Sequence, residues 1–245
     1  MKISNDLRFL PCGDSAVTVQ FAREMSEQTN RHIRFVAQRL EDARISGVLE
    51  CVPTFCSLTV YFDPTRITGR RLQKTVEKLA NAYREDEKAS RRVFLIPVCY
   101  EGNFAPDLDD VCSLTGLSRE EVIAIHSGTD YLIYMLGFLP GFPYLGGMDK
   151  RIEAPRLDSP RTTIPPGAVG IGGKQTGIYP LASPGGWRLI GRTPVKVYDP
   201  DREEAIVYRA GDYIRFYPIT EEEFHRIAAT GGSVIEMREE MPCCV

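Results

Sequence analysis

Apolar residues follow two periods along this chain, and the switches between them outline its elements. Val17, Val19 and Phe21 alternate with polar neighbours, the period of two expected of a strand with one buried face. Ser26 then precedes a stretch that carries Ile33, Val36, Ala37, Leu40 and Ala43 on one helical side. Ser26 is the expected N-cap of that helix and Gly47 its expected stop. Leu58, Val60 and Phe62 alternate again until Asp63 and Pro64 break the pattern. Leu72, Val76, Leu79 and Tyr83, spaced by four, three and four, mark a second helix capped by Thr68. A β-rich run from Val93 to Tyr100 follows. The order strand, strand, helix, strand, strand, helix, strand predicts an α+β N-terminal domain over residues 1–92. The expected form is a ferredoxin-like, two-layer arrangement with helices on one face of a mostly antiparallel sheet.

Residues 101–127 change character. Pro106 with Asp107, Asp109 and Asp110 suits the positive end of a short helix that Gly116 terminates. Ser118 and Glu121 have the spacing of a capping box for a second short helix holding Val122 and Ile125. His126 falls on its last turn, where the helix dipole would favour a protonated imidazole. From Tyr131 onward Gly and Pro punctuate short β-branched or aromatic runs: Tyr131–Leu136, Ala168–Ile171, Arg188–Ile190, Val195–Tyr198, Ala205–Tyr208 and Tyr213–Phe216. That spacing predicts a mostly-β domain over residues 93–245, closed as a barrel or folded as a sandwich. Thr220 and Glu223 form another capping box, Val234–Met237 reads as a last strand, and Arg238 to Val245 is expected to fray.

Composition narrows the function classes. The 245 residues are 43% hydrophobic and 26% charged, ordinary for a globular protein, with a net charge of −3. The basic pairs sit among acids, so neither nucleic acid nor an anionic membrane is the expected partner. No apolar run approaches the roughly 20 residues needed to span a bilayer. The N-terminus lacks the apolar core of a signal peptide, and a cytoplasmic location is expected. The seven cysteines include no C-x-x-C pair and read as buried free thiols. Cys243 and Cys244 precede a single Val, which is not a prenylation signal. His32, His126 and His225 are too dispersed for a zinc site, so no metal is expected.

Two stretches are unusually dense in Gly and Pro, residues 137–147 and 164–187. Such density suits tight barrel turns, and equally a backbone that a ligand approaches closely. Gly172-Gly173-Lys174 fails as a P-loop because Gln175 stands where Ser or Thr is needed and Ala168 where the first Gly belongs. Gly170 and Gly172 open a dinucleotide fingerprint that Gln175 likewise ends. No lysine lies between methionines, so this is no biotin carrier.

Several longer motifs occur in a recognisable order. They are His126-Ser127, Gly137-Phe138-x-Pro140-Gly141-Phe142-Pro143-Tyr144-Leu145-Gly146-Gly147, Pro160-Arg161, and Pro166-Gly167-x-Val169-Gly170-Ile171. Gln175 to Pro180, Ser183-Pro184-Gly185-Gly186-Trp187 and Ile190 to Pro194 follow, with Gly13-Asp14 near the start and Gly211-Asp212 near the end. Together they resemble the family of the bacterial 5-oxoprolinase B subunit, also called PxpB or allophanate hydrolase subunit 1, which includes KipI-type kinase inhibitors. The resemblance implies an α+β domain followed by a cyclophilin-like β-barrel. It implies ATP-dependent opening of 5-oxo-L-proline to L-glutamate, shared with the C and A subunits of 5-oxoprolinase as partners, with ATP used at the level of the complex. The alternative it implies is an inhibitor that binds a sensor histidine kinase and blocks its autophosphorylation.

A lactam amide is a poor electrophile, so ATP is expected to phosphorylate its oxygen before water attacks, and the site needs donors for anionic oxygen. Arg161 and the main-chain amides of Gly185 and Gly186 are the candidates, with Gln175 orienting the amide. Tyr179 and Trp187 either line a pocket or serve, as large aromatics more often do, as core or interface anchors. The competing reading of Arg161 is a pair with a barrel acid or carbonyl. His126 is a candidate general acid or base, or else a structural histidine closing its helix. Phe138, Phe142 and Tyr144 are expected to form a hydrophobic surface for the C subunit.

Overall fold

The computed structural model describes residues 7–84, 90–232 and 235–240. The chain divides into two compact units, Met1–Glu87 and Lys88–Val245. Its described elements are fourteen strands and five α-helices, so the protein is mostly β.

In the first unit β1 (Arg8–Pro11), β2 (Ala16–Gln20), β3 (Val48–Pro53) and β4 (Ser57–Phe62) form an antiparallel sheet in the order β1-β2-β4-β3. Val17 pairs with Val60 and Val19 with Leu58. Residues directly opposite each other share a face, and these four join one core with Ile33, Val36 and Leu40 of α1 (Glu27–Asp42) and Leu72 and Val76 of α2 (Gly69–Ala82). Ser26 and Thr68 cap the two helices as expected, their hydroxyls accepting from Thr29 N at 3.1 Å and Arg71 N at 3.3 Å. The first helix stops at Asp42, short of Gly47. Arg44 takes a left-handed φ of 43° and the chain then turns through Gly47 at 92°. The chain order also differs from the ferredoxin-like βαββαβ. It begins with the hairpin β1–β2, and β1 fills the edge position beside β2.

The second unit is a closed barrel. Its strands are β5 (Arg91–Cys99), β6 (Asp130–Leu136), β7 (Pro143–Gly146), β9 (Ala168–Gly172), β10 (Gln175–Ile178), β12 (Arg188–Arg192) and β13 (Tyr213–Ile219). They run in the order β12-β9-β10-β7-β6-β13-β5, and Arg192 opposite Cys99 closes the ring of seven. Beside the barrel β8 (Arg161–Ile164) and β11 (Ser183–Gly185) pair as a separate two-stranded ribbon. Three helices complete the unit: α3 (Leu108–Thr115), α4 (Arg119–Ser127) and α5 (Glu221–Ala229). Both expected capping boxes form, Ser118 with Glu121 and Thr220 with Glu223.

Three expectations change. Val195–Tyr198 and Ala205–Tyr208 are not regular strands; a single bridge, Tyr198 to Ile206, joins them. Their apolar pattern reflects burial alone, since Val195, Val197 and Tyr208 belong to the barrel core. The last strand, β14 (Glu236–Glu240), reaches beyond Met237, so Arg238 to Glu240 do not fray but pair with Val93 to Arg91. Val234 and the Cys243-Cys244 pair lie outside the described residues. Finally β7, β10 and β11 arise within the Gly- and Pro-rich stretches, where tight turns were one of the two readings.

Candidate functional site

The hairpin β9–β10 has two unlike faces. Val169, Ile171 and Ile178 belong to the barrel core, and Thr176, which pairs with Ile171, is fully buried beside them. On the other face Gly170 pairs with Gly177 and Gly172 with Gln175. A Cβ on Gly172 would lie 2.4 Å from Trp187 Nε1, and one on Gly177 would lie 3.1 Å from Trp187 Cζ3. These glycines therefore make a floor on which the indole rests. Phe142 and Tyr179 meet that ring edge-on at 5.6 and 6.2 Å, and Arg156 sits 5.8 Å from its centroid. Gln175, half-buried, projects from the same face at the end of the floor.

The β8–β11 ribbon adds polar groups. Gly185 lies opposite Arg161, and Ser183 opposite Ile164. A Cβ on Gly185 would come within 2.7 Å of both Tyr179 Oη and Ile164 Cδ1, so only glycine admits the phenol here. Arg161 Nη2 donates to Asp107 Oδ1 at 2.6 Å, while Asp107 Oδ2 accepts from Leu189 N at 2.6 Å. Asp107 precedes α3, yet its side chain caps nothing there, because both carboxylate oxygens are committed to the ribbon and to β12. Arg161 is thus paired with an acid. Its Nη1 is buried with no partner among the described residues, and so is Ser183 Oγ. Burial raises the pKa of Tyr179, opposed in part by the Trp187 amide bonded to it and by nearby Arg156 and Arg161, so the phenol stays protonated and able to donate. The structure therefore gathers Arg161, Gly185, Gly186 and Gln175 about a packed aromatic cluster in which Tyr179 is 2% and Trp187 5% exposed, so both rings are core residues beside Phe142.

His126 lies elsewhere. Its ring is fully buried in the barrel core, stacked 4.6 Å from Phe216. Nδ1 is 2.8 Å from Tyr100 Oη and Nε2 is 2.9 Å from Thr176 Oγ1. Thr176 gives its own proton to the Gly170 carbonyl at 3.1 Å, so Nε2 must carry the hydrogen and Nδ1 must accept from Tyr100. Burial lowers the pKa of His126 to about 3. The dipole-favoured imidazolium expected from its helical position does not form, because desolvation outweighs a helix-end charge effect of up to about 2 kcal/mol. A general acid or base must reach its substrate, and an imidazole with no exposed atom and both nitrogens engaged is structural.

Among the described residues no group of His, Cys, Asp and Glu is placed to hold a metal ion, and no helix is long and apolar enough to cross a membrane. A family model described as carboxyltransferase domain, subdomain C and D, matches residues 7–208. The 5-oxoprolinase B subunit of Bacillus subtilis (strain 168) is 45% identical over 223 residues, covering 87% of this chain and 93% of that protein. The chain belongs to the 5-oxoprolinase B-subunit family. The B subunit of Escherichia coli O157:H7 is similar in the same way, 40% identical over 84% of this chain and 93% of that protein. The crystal structure of Kluyveromyces lactis urea carboxylase matches 96% of this chain and 24% of that one, with a TM-score of 0.78. At 22% identity it speaks for the fold alone. One solved structure, 40% identical with a TM-score of 0.74, is matched over 83% of this chain and 40% of its own, so the match takes in less than half of that molecule.

Of the three aromatics expected at a surface for a partner subunit of this family, the structure exposes one. Phe138 is 61% exposed, whereas Phe142 is 2% exposed and packs against Tyr179 and Trp187. Phe142 is a core residue here, because its ring fills the space above Gly177. Tyr144 is half-buried at its side. Nothing local in the sequence marks Asp107 or Ser183 as a site residue, since an aspartate before a helix and a serine before a Pro-Gly turn are both ordinary. A hollow of about 380 Å³ lies in the first unit and includes Gly13 and Asp14 of the N-terminal family motif. It has no buried unpartnered polar atom among the described residues.

Proposed function

We propose that this chain is a non-autonomous subunit of an ATP-dependent 5-oxoprolinase, acting with C and A subunits as partners to hydrolyse 5-oxo-L-proline to L-glutamate. The observation that carries the reading is the 45% identity to a 5-oxoprolinase B subunit across 93% of that protein. ATP transfers its terminal phosphoryl group to the lactam oxygen, and water adds to the activated ring carbon. The ring C–N bond breaks to leave an acyl phosphate and the free amine, and a second water splits the acyl phosphate into carboxylate and phosphate. Arg161 and the amides of Gly185 and Gly186 receive anionic oxygen of the substrate, and Gln175 orients the amide. ATP is used at the level of the complex, and Phe138 serves as an anchor for a partner subunit. The kinase-inhibitor reading has no observation behind it.

The test is genetic. Deleting the gene in its host should make 5-oxo-L-proline accumulate, and restoring the wild-type gene should return the pool to normal. An unchanged pool would contradict the reading.

A further inference from the structure

We infer that one margin of the first unit, where Leu49 stands beside a hollow flanked by Glu41 and Glu50, is a docking surface for a basic segment of a partner subunit. That the partner is the C or the A subunit rests on the proposed function.

β3 ends the sheet of the first unit, so one of its long sides faces no other strand among the described residues. A hollow of about 460 Å³ opens between this strand and the end of α1. Leu40, Glu41 and Arg44 line it on the helix side, and Val48, Glu50 and Cys51 on the strand side. Leu49 sits in the register shift between Val48 and Glu50, the extra residue of a β-bulge. It is 70% exposed, the most exposed large apolar side chain among the described residues. Edge strands normally avoid such a residue, because it invites aggregation. The bulge itself, with Glu50 and with Pro53 in the ladder, closes β3 to simple strand addition. A partner therefore docks here by its side chains, covering Leu49 and reaching into the hollow.

Charge names the partner. Neither Glu41 nor Glu50 has an ion-pair partner among the described residues. Burial pushes the Cys51 thiol up to about 12, and both carboxylates add to the rise, so both act on the space this thiol lines. α1 also ends at the hollow, and a helix C-terminus is the negative end of its dipole. Arg44 is the one cation among the lining residues, so the two acids and the helix end leave the hollow negative. A Lys or Arg of the partner fits on both counts. Its aliphatic stem lies along Ile45 and Val48, and its charge ends beside Glu41 or Glu50. A second copy docking through the same face would set Glu41 and Glu50 against their own counterparts. Nucleic acid and an anionic membrane would be repelled as well.

Hydrogen exchange over residues 40–53 would be followed by mass spectrometry in the chain alone and with the C and A subunits added, singly and together. The surface predicts slowed exchange there on assembly, and an association that weakens as salt rises. Leu49→Ser and the double variant Glu41→Gln with Glu50→Gln change exposed side chains and leave the fold intact. Each should weaken assembly about tenfold, read by sedimentation, and the double variant should also flatten the salt dependence. Unchanged affinity in either variant, or self-association of this chain through residues 40–53, would overturn the surface. No association with either subunit would overturn both the surface and the reading it rests on. Glutamate release by a complex with unchanged exchange over residues 40–53 sinks the surface and spares the subunit reading. Slowed exchange and salt-sensitive association without glutamate release do the reverse.

Discussion

A buried imidazole that must stay neutral links His126 to pH. Burial holds its folded pKa at about 3, whereas in the unfolded chain it titrates near about 6.5. Below that value the unfolded state takes up a proton that the folded state refuses. The stabilising contribution is therefore complete above pH ~6.5 and falls by about 1.4 kcal/mol per pH unit as the pH drops toward 3. His126→Gln should flatten this part of the pH–stability curve, measured as the urea midpoint between pH 7 and 4. At pH 7 it should cost about 1–3 kcal/mol through the lost Tyr100 and Thr176 bonds. Subtracting variant from wild type removes the share of His32, whose pKa burial also lowers. An unchanged slope would mean that His126 is protonated in the fold. The glycine floor makes a second residue-scale prediction. Gly172→Ala should destabilise by about 1–3 kcal/mol through overpacking and shift the Trp187 fluorescence, because its Cβ would overlap the indole. An unperturbed spectrum at wild-type stability would remove the floor. Some of this was legible in the sequence. Val169-Gly170-Ile171-Gly172 alternates as a strand does, with glycine in the polar place, and only the large residue that covers it, fifteen positions on at Trp187, was hidden.

Helix starts were legible because their signals are local. Ser26, Thr68, Ser118 and Thr220 all accept the capping bond their positions promised. Strands written in Gly and Pro were not, because pairing partners and the rings packed on them come from distant segments. The turn between β6 and β7 shows what such a segment can do. Leu139 N donates to Gly137 O at 2.7 Å with Phe138 at φ 65°, a γ-turn of the rarer, positive-φ kind. Phe142 N then donates to Leu139 O at 3.0 Å across Pro140 and Gly141, the latter at φ 78°, as a type II turn requires. A bulky residue with positive φ is strained by about 1–3 kcal/mol, and the gain is an aromatic ring held out from the surface. Phe138→Gly should raise stability by about 1 kcal/mol while lowering affinity for a partner subunit, read by calorimetry and co-sedimentation. Lower stability with unchanged assembly would contradict both halves. Phe142→Ala, by contrast, should cost about 3–5 kcal/mol, as a core deletion does.

At the scale of the molecule the barrel closes through one contact between distant strands, Arg192 opposite Cys99, which no local pattern announces. The fold class was nevertheless readable from short runs at regular spacing. The C-terminal strand is fastened by charge as well as pairing. Arg91 and Arg215 each bridge Asp130 and Glu240, which ties β14 to the neighbouring strands of the sheet. Burial alone would raise the pKa of Asp130, but Arg215 and Arg91 together hold it below the usual carboxylate range. The chain spans nearly the whole of its B-subunit relatives and about a quarter of the urea carboxylase it resembles in fold. Its fold is one that others carry within longer chains. The direct test is glutamate release from 5-oxo-L-proline and ATP, measured with the purified chain, with the C and A subunits added, and with each component omitted in turn. The account predicts no release by the chain alone, release by the full mixture, and loss of release when this chain is left out. Release by the C and A subunits without it, or none from a verified complex of all three, would contradict the account.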